Sequence, residues 1–345
     1  MSDEELARRL AARALELVDI PSESRDEAAI AQHVLSTVPG ARDAGDGCVL
    51  AGAGHVVLAG HLDTIPAQGN RPGRIEAGAV HGVGASDMKA ALAVMIELAL
   101  AGRAPGTTLC FFPREELPVS ESSLTPLLAR EPGLREAEVA IVMEPTANAI
   151  HAGCLGNINA TWTFHGVSGH SARPWLADNA IERAARAIAQ LADDAPPERS
   201  KFDGLEFVEA VSIVGIEGGI ARNVIPDRVT AHVNYRYAPD RSAPDADARL
   251  HALCDGEQRE LDIQSNAPSG PVAVSHQFVQ RLIAAGSLEV APKQAWTPVA
   301  EFALAGVPAV NFGPGDPAYA HRRDELVRVD ALVRSFRTLE AVLCG

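Results

Sequence analysis

Apolar positions change their spacing twice along the chain. Ser2 and Glu5 form a capping-box pattern ahead of Leu6, Leu10 and Leu17, which share one helical face, and Pro21-Ser22 ends that helix. A second box, Ser24 with Glu27, predicts another helix that fails at Pro39-Gly40. Short apolar strands are expected around Cys48–Leu50 and Val56–Ala59. The run after Asp87 predicts a helix over Met88–Ala101, stopped by Gly102. Thr107–Pro113 is rich in β-branched and aromatic residues and reads as a strand, followed by a helix near Ser122–Arg130 and a strand, VAIVME, that ends on Glu144. Strand–helix–strand alternation of this kind predicts an α/β sheet.

After about Cys154 the period switches. Asn157–Phe164 alternates polar and apolar residues, as a half-exposed antiparallel strand does. A loop, GVSGHSARPW, leads to a helix over Asn179–Leu191 and strands over Phe207–Ile216 and Val229–Tyr237. A helix near Asp245–Cys254 and a strand near Glu260–Ser265 follow. That order is β-α-β-β-α-β, the plan of a small ferredoxin-like sandwich. Past the turn-rich Pro268–Pro271, helices and the buried strand VPAVNF return to α/β character. The expected architecture is a catalytic α/β domain with a mixed sheet, residues 1–154 and 269–345, interrupted by a smaller domain, 155–268. There is no internal repeat and no low-complexity segment.

At 345 residues the chain accommodates two domains, and 47% hydrophobic content suits a globular protein. The net charge of −15, with no basic block, argues against nucleic acid and anionic membrane surfaces as partners. The longest apolar run, MKAALAVMIELALAG, carries Lys89 and Glu97 and falls short of the ~20 residues a bilayer span needs. MSDEELARRL has acids where a signal peptide needs apolar residues, so a cytoplasmic location is expected. The five cysteines are scattered and form no C-x-x-C pair, which reads as reduced, mostly buried thiols.

The chemistry gathers where parallel strands end. His61 ends VVLAGH, Asp63 follows it, Asp87 opens the long helix, Glu115-Glu116 follow TTLCFFPR, Glu144 ends VAIVME, and His321 follows VPAVNFGPGDPAYA. Two imidazoles and three carboxylates exceed the needs of one tetrahedral zinc and suit two, with one carboxylate bridging and an open position for water. Two Zn²⁺ balance three carboxylates and one hydroxide. One of Glu115-Glu116 is then left over as general base toward the attacking water: adjacent strand residues point opposite ways, but the bend at the strand end lets one ligate metal and the other hold the water. Asp63 fits as the acceptor for the other N–H of His61. His170, in VSGHSARPW, is a candidate donor to the oxyanion of amide hydrolysis. His55, His81 and His151 read as ordinary histidines. Gly82-x-Gly84 lacks the third glycine of a dinucleotide fingerprint, and Asp87 would repel pyrophosphate.

GHLDTIP, GVGASDMK, REELP, MEPT, GHSARP, RNVIPD and GPGDPAYAH, in this order, resemble the two-zinc aminoacylase and carboxypeptidase family over nearly the whole chain. The resemblance implies a catalytic domain interrupted by a lid through which the chain forms a homodimer. It makes His61 and Glu144 ligands of one zinc and Glu116 and His321 ligands of the other, with Asp87 bridging, Glu115 as the base and Asp63 supporting His61. It also implies a cis peptide at Asp87-Met88, an oxyanion contact by His170 across the dimer, and substrate contacts by Asn223 and Arg236, with Arg173 and Arg222 as further candidates. Cobalt or manganese could substitute for zinc in such ligand sets. The implied activity is removal of a succinyl group from N-succinyl-L,L-diaminopimelate. The alternatives are a sibling deacylase for acetylornithine or another N-acyl amino acid, a dipeptidase of the same fold, or, in a different class, a catalytically silent binding or regulatory subunit. One departure stands out: Pro298 and Glu301, in WTPVAEF, occupy positions where the pattern has Asp and Arg. A glutamate facing the pocket would oppose an acidic substrate.

Overall fold

The computed structural model describes all 345 residues, in two compact units. The first comprises 1–153, 271–292 and 297–345, and the second 154–270 with 293–296. The first is built on an eight-stranded mixed sheet in the order Arg42–Asp43, Val49–Ala51, Thr107–Phe112, Val56–His61, Val139–Val142, Ala309–Asn311, Ile150–Ala152, Val290–Pro292. Val56–His61 lies between Thr107–Phe112 and Val139–Val142, parallel to both, and all three strands are buried throughout, as their unbroken apolar sequences require.

The helix Ala90–Leu100 is buried from Ala90 to Leu98 and packs against Asp3–Asp19 and Val329–Leu343. Its one buried carboxylate, Glu97, is held by Arg9 (2.6 Å) and Arg13 (3.2 Å) of the amino-terminal helix. Ser2 caps that helix as expected, accepting the Glu5 N–H. Ser24 does not cap the next one. Its hydroxyl donates to Asp63 Oδ2 (2.8 Å), and the helix Ala28–Thr37 starts at Glu27 without a side-chain cap. A tertiary carboxylate has outcompeted the local backbone donors.

The second unit is an antiparallel sheet in the order Glu198–Phe202, Leu205–Gly218, Arg228–Tyr237, Gly156–His165, Arg259–Ala267. The helices Ala180–Asp194 and Ala243–Cys254 pack against it, and Ala180, Ala184, Ala187 and Leu191 bury one helical stripe beside Trp162, Phe164, Val233 and Tyr235. The four longer strands and two helices form the expected ferredoxin-like β-α-β-β-α-β plan. Glu198–Phe202 is an addition, joined to its neighbour by the two-residue turn Asp203-Gly204, both at positive φ. Lys293–Trp296 also joins this unit. Gln294 accepts the Val208 N–H (3.2 Å) and donates to the Glu206 carbonyl (2.9 Å), while the Trp296 indole donates to the Pro268 carbonyl (3.1 Å).

Candidate metal centre

Strand register brings the candidate ligands to one edge of the large sheet. His61 lies opposite Phe112, and Ala59 opposite Val142, so Glu144 emerges level with His61 and the chain beyond Phe112 leaves beside them. At Arg114 the backbone enters the left-handed region (φ 63°) and turns Glu115-Glu116 into the site. The Asp63 carboxylate accepts both of their backbone N–H groups, from Glu115 at 3.0 Å and Glu116 at 3.1 Å. Asp87 enters through a turn in which Gly84 has φ 76°, and the Asp87-Met88 peptide is cis. His321 arrives on a loop that packs tightly, for Thr146 Oγ1 and the Asn148 N–H bond the backbone of Gly313 at 3.0 and 2.9 Å.

The two oxygens of Asp87 face different imidazoles. Oδ1 is 3.1 Å from His61 Nε2, and Oδ2 is 3.6 Å from His321 Nε2. Glu144 Oε1 lies 3.8 Å from His61 Nε2, and Glu116 Oε1 lies 2.9 Å from His321 Nε2. Ligand atoms of His61, Asp87 and Glu116 fall within 4.8 Å of one another, as do those of His61, Glu115 and Glu144. Each imidazole thus has two carboxylates at hand, with Asp87 common to both. That donor set, one imidazole nitrogen and one further carboxylate on either side of a shared carboxylate, fits a pair of divalent cations.

The electrostatics point the same way. Burial pushes the Glu115 carboxyl well above the usual carboxylate range, and Glu144, Glu116 and Asp87 push it further while His61 opposes them. Burial alone would discharge His61, but Asp63 and Asp87 override it and hold the imidazolium. The hydrogen bond to Glu116 lifts His321 to about 9. Burial would raise Asp63 too, yet His61, the Glu115 N–H and the Ser24 hydroxyl bring it down to about 2. Protons on His61 and His321 occupy the positive charge that cations would otherwise supply to these carboxylates.

Asp63 reaches His61 less directly than expected. The nearest acceptor to His61 Nδ1 is the Asp63 carbonyl at 3.0 Å, with the carboxylate at 3.5 Å. The carboxylate is instead occupied by Ser24 and the two glutamate N–H groups, so it shapes the strand end as much as the imidazole. Asp63→Ala is therefore expected to weaken metal binding about 10- to 100-fold, measured by competition with a chelator, and unchanged affinity would remove Asp63 from this role.

The remaining candidates lie in the second unit. His170 pairs with Val224 in a two-residue ribbon, and the Ser171 N–H donates to the Asn223 carbonyl, so His170 and Asn223 are neighbours. His170 Nδ1 accepts the Ala172 N–H (3.0 Å), which puts the ring's donor at Nε2 on an exposed side chain. Arg173 and Arg222 are exposed. Arg236 is half-buried and donates through Nε to Asn234 (3.0 Å). Glu301 does not present a free charge. Its buried carboxylate accepts from Ser122 Oγ (2.7 Å), Thr125 Oγ1 (2.6 Å) and Thr125 N (3.1 Å) at the start of the helix Leu124–Arg130. Pro298 begins the short helix Val299–Leu304 that carries it. Two residues beside the site had no sequence signal for their roles: Ser24, described above, and Glu325, whose carboxylate accepts backbone N–H groups of the Asp87 turn.

Residues 153–262 match the family profile described as a peptidase dimerisation domain of the M20 group. The chain is 40% identical over 344 residues to a Mycobacterium tuberculosis protein named as a candidate succinyl-diaminopimelate desuccinylase, covering 95% of this chain and 96% of that one. It is 36% identical to the succinyl-diaminopimelate desuccinylase of Corynebacterium glutamicum, covering 92% and 91%. Among solved structures, a Staphylococcus aureus tripeptidase superposes with a TM-score of 0.77 at 18% identity, covering 98% and 99%. A Bacillus subtilis dinuclear metal-binding peptidase of the M20 family superposes at 0.69 with 15% identity, covering 99% of each chain. The chain belongs to the M20 peptidase family and is a hydrolase of amide bonds. Within that family, its similarity is to proteins named succinyl-diaminopimelate desuccinylase.

Proposed function

We propose that this protein removes the succinyl group from N-succinyl-L,L-diaminopimelate, in the route to diaminopimelate and lysine, as a cytoplasmic homodimer joined through the inserted domain. The observation that carries the reading is the placement of Asp87 between two imidazole–carboxylate pairs, with Glu115 left beside them. His61 and Glu144 would hold one zinc and Glu116 and His321 the other, with Asp87 shared. The two imidazoles in an otherwise oxygen-rich set favour zinc over magnesium or calcium. Bound there, the metal pair supplies Lewis-acid chemistry, acidifying water and polarising the amide carbonyl.

Glu115 takes the proton of the attacking water on a carboxylate oxygen and delivers it to the leaving amine nitrogen. Its burial among acids favours the protonated form, which suits the second half of that task. His170, contributed by the second copy of the chain, donates a hydrogen bond from its Nε2–H to the developing oxyanion. Arg236, with Asn223 and in a lesser part Arg173 and Arg222, binds the carboxylates of the substrate.

A second reading, a sibling deacylase for acetylornithine or another N-acyl amino acid, draws on Glu301, since an arginine available to bind an anion is missing there. The test is kcat/KM of the zinc-loaded protein on N-succinyl-L,L-diaminopimelate, N-acetylornithine and a simple dipeptide. Preference for the succinyl substrate is expected. Preference for either of the others keeps the metal chemistry and overturns the acyl-group assignment. A protein that binds zinc and turns over none of the three overturns the substrate reading as a whole.

A further inference from the structure

We infer that Glu325 is a positioning residue for the metal centre, fixing the backbone of Asp87 against the segment that carries His321 and so setting the spacing of the ligands around Asp87. The inference rests on the two-metal reading above. Glu325 is 1% exposed. Its Oε1 accepts the N–H of Ser86 (2.8 Å) and of Asp87 (2.9 Å), and its Oε2 accepts that of Gly84 (2.9 Å). These donors belong to the turn leading into the helix Ala90–Leu100, where backbone N–H groups have no intrahelical acceptor. A carboxylate makes charge-assisted bonds to such donors.

Residue 325 also grips the turn with its main chain. Its carbonyl accepts from the Gly82 N–H (3.1 Å) and from Asn70 Nδ2 (3.4 Å). On the other side, Ser86 Oγ donates to the Asp316 carbonyl (2.8 Å), and a Cβ on Gly315 would stand 2.1 Å from the Ser86 carbonyl oxygen. Residues 315–325 therefore bracket the Asp87 turn, and the same segment carries His321. Asp87 and His321, remote in sequence, share one set of restraints. Both oxygens of Glu325 are occupied by backbone donors, so Glu325 acts on the centre through Asp87 and is not itself a ligand.

Glu325→Gln tests this. The variant keeps the side-chain length but turns an amide N–H₂ toward one of the three backbone donors. It is expected to fold, by circular dichroism and gel filtration, and to bind zinc about 10- to 100-fold more weakly in a chelator competition. The visible spectrum of the cobalt-loaded protein is expected to change, and kcat at saturating zinc to fall while KM holds. A folded variant with parental zinc affinity, cobalt spectrum and kcat would overturn the role. Should Glu325→Gln fail to fold, Glu325→Asp carries the test, since it keeps the charge but withdraws it by one methylene. Parental affinity in that variant would equally overturn the role. A parent protein that binds no zinc overturns both this inference and the two-metal reading, whereas a parent that binds zinc beside a variant that binds it as well overturns this inference alone.

Discussion

Glu115→Gln is expected to leave fold and metal content intact while lowering kcat about 10²- to 10⁴-fold. The amide has nearly the shape of the carboxyl but cannot take a proton from water. Its backbone N–H, which ties it to Asp63, is untouched by the change. The substitution also removes an acid from a buried crowd. Glu144, Glu116 and Asp87 all disfavour the ionised form of Glu115, so the metal-free variant should melt no lower than the metal-free parent. Metal content decides between two roles, because Glu115 also lies within ligand distance of His61 and Glu144. A variant that keeps two metals and loses turnover identifies the base. A variant that loses a metal identifies a ligand, and full activity would sink both.

The second large effect is expected from metal removal. Chelation should abolish turnover, and reloading should restore it with release of protons. In the metal-free protein His321 titrates at about 9 and His61 well above its ordinary value, so both are protonated at neutral pH. A metal needs the lone pair that each proton occupies. Apparent affinity should therefore rise with pH, by about tenfold per unit for each proton displaced, over the range in which the two imidazoles lose their protons. Calorimetric titration in buffers of different ionisation enthalpy counts those protons, and a pH-independent affinity would contradict the assignment. The same shift bears on the metal-free fold. Because the pKa of His321 is raised, its pairing with Glu116 stabilises fully below the ordinary value of 6.5 and is lost as pH rises through about 9.

The strand ends were legible because the runs before them are continuously apolar. VVLAG, TTLCFF and VAIV are buried from end to end, so whatever polar residue follows them must sit at the sheet edge. His61, the Glu115-Glu116 pair and Glu144 follow directly from that. His321 was harder, since a loop separates it from its strand, and its place rests on the ordered motifs rather than on periodicity. The roles of Ser24 and Glu325 were not legible. Each is decided by a partner far away in the chain, and a carboxylate buried against backbone N–H groups leaves no period to read. Asp203-Gly204 does carry a hairpin signal, but the strand before it, ERSKF, is polar and largely exposed and shows no apolar alternation. Lys293–Trp296 had none, for its attachment runs through single hydrogen bonds of Gln294 and Trp296. Glu301 shows the converse limit: its identity in the sequence suggested a charge facing substrate, while three hydroxyl and amide donors turn it inward.

The order of residues in the chain sets an order of assembly. His61, Asp87, Glu115, Glu116 and Glu144 are all synthesised before the second unit begins at Cys154, yet the strand Ala309–Asn311, which pairs with Val139–Val142, comes long after it. His321 and Glu325 come later still. A chain on the ribosome carries four acids and one histidine destined for a single edge, with neither the second imidazole nor the clamp on the Asp87 turn. On the two-metal proposal that ligand set stays unfinished until translation passes Glu325, so tight capture of a metal pair would report that residues 1–325 have been made and folded.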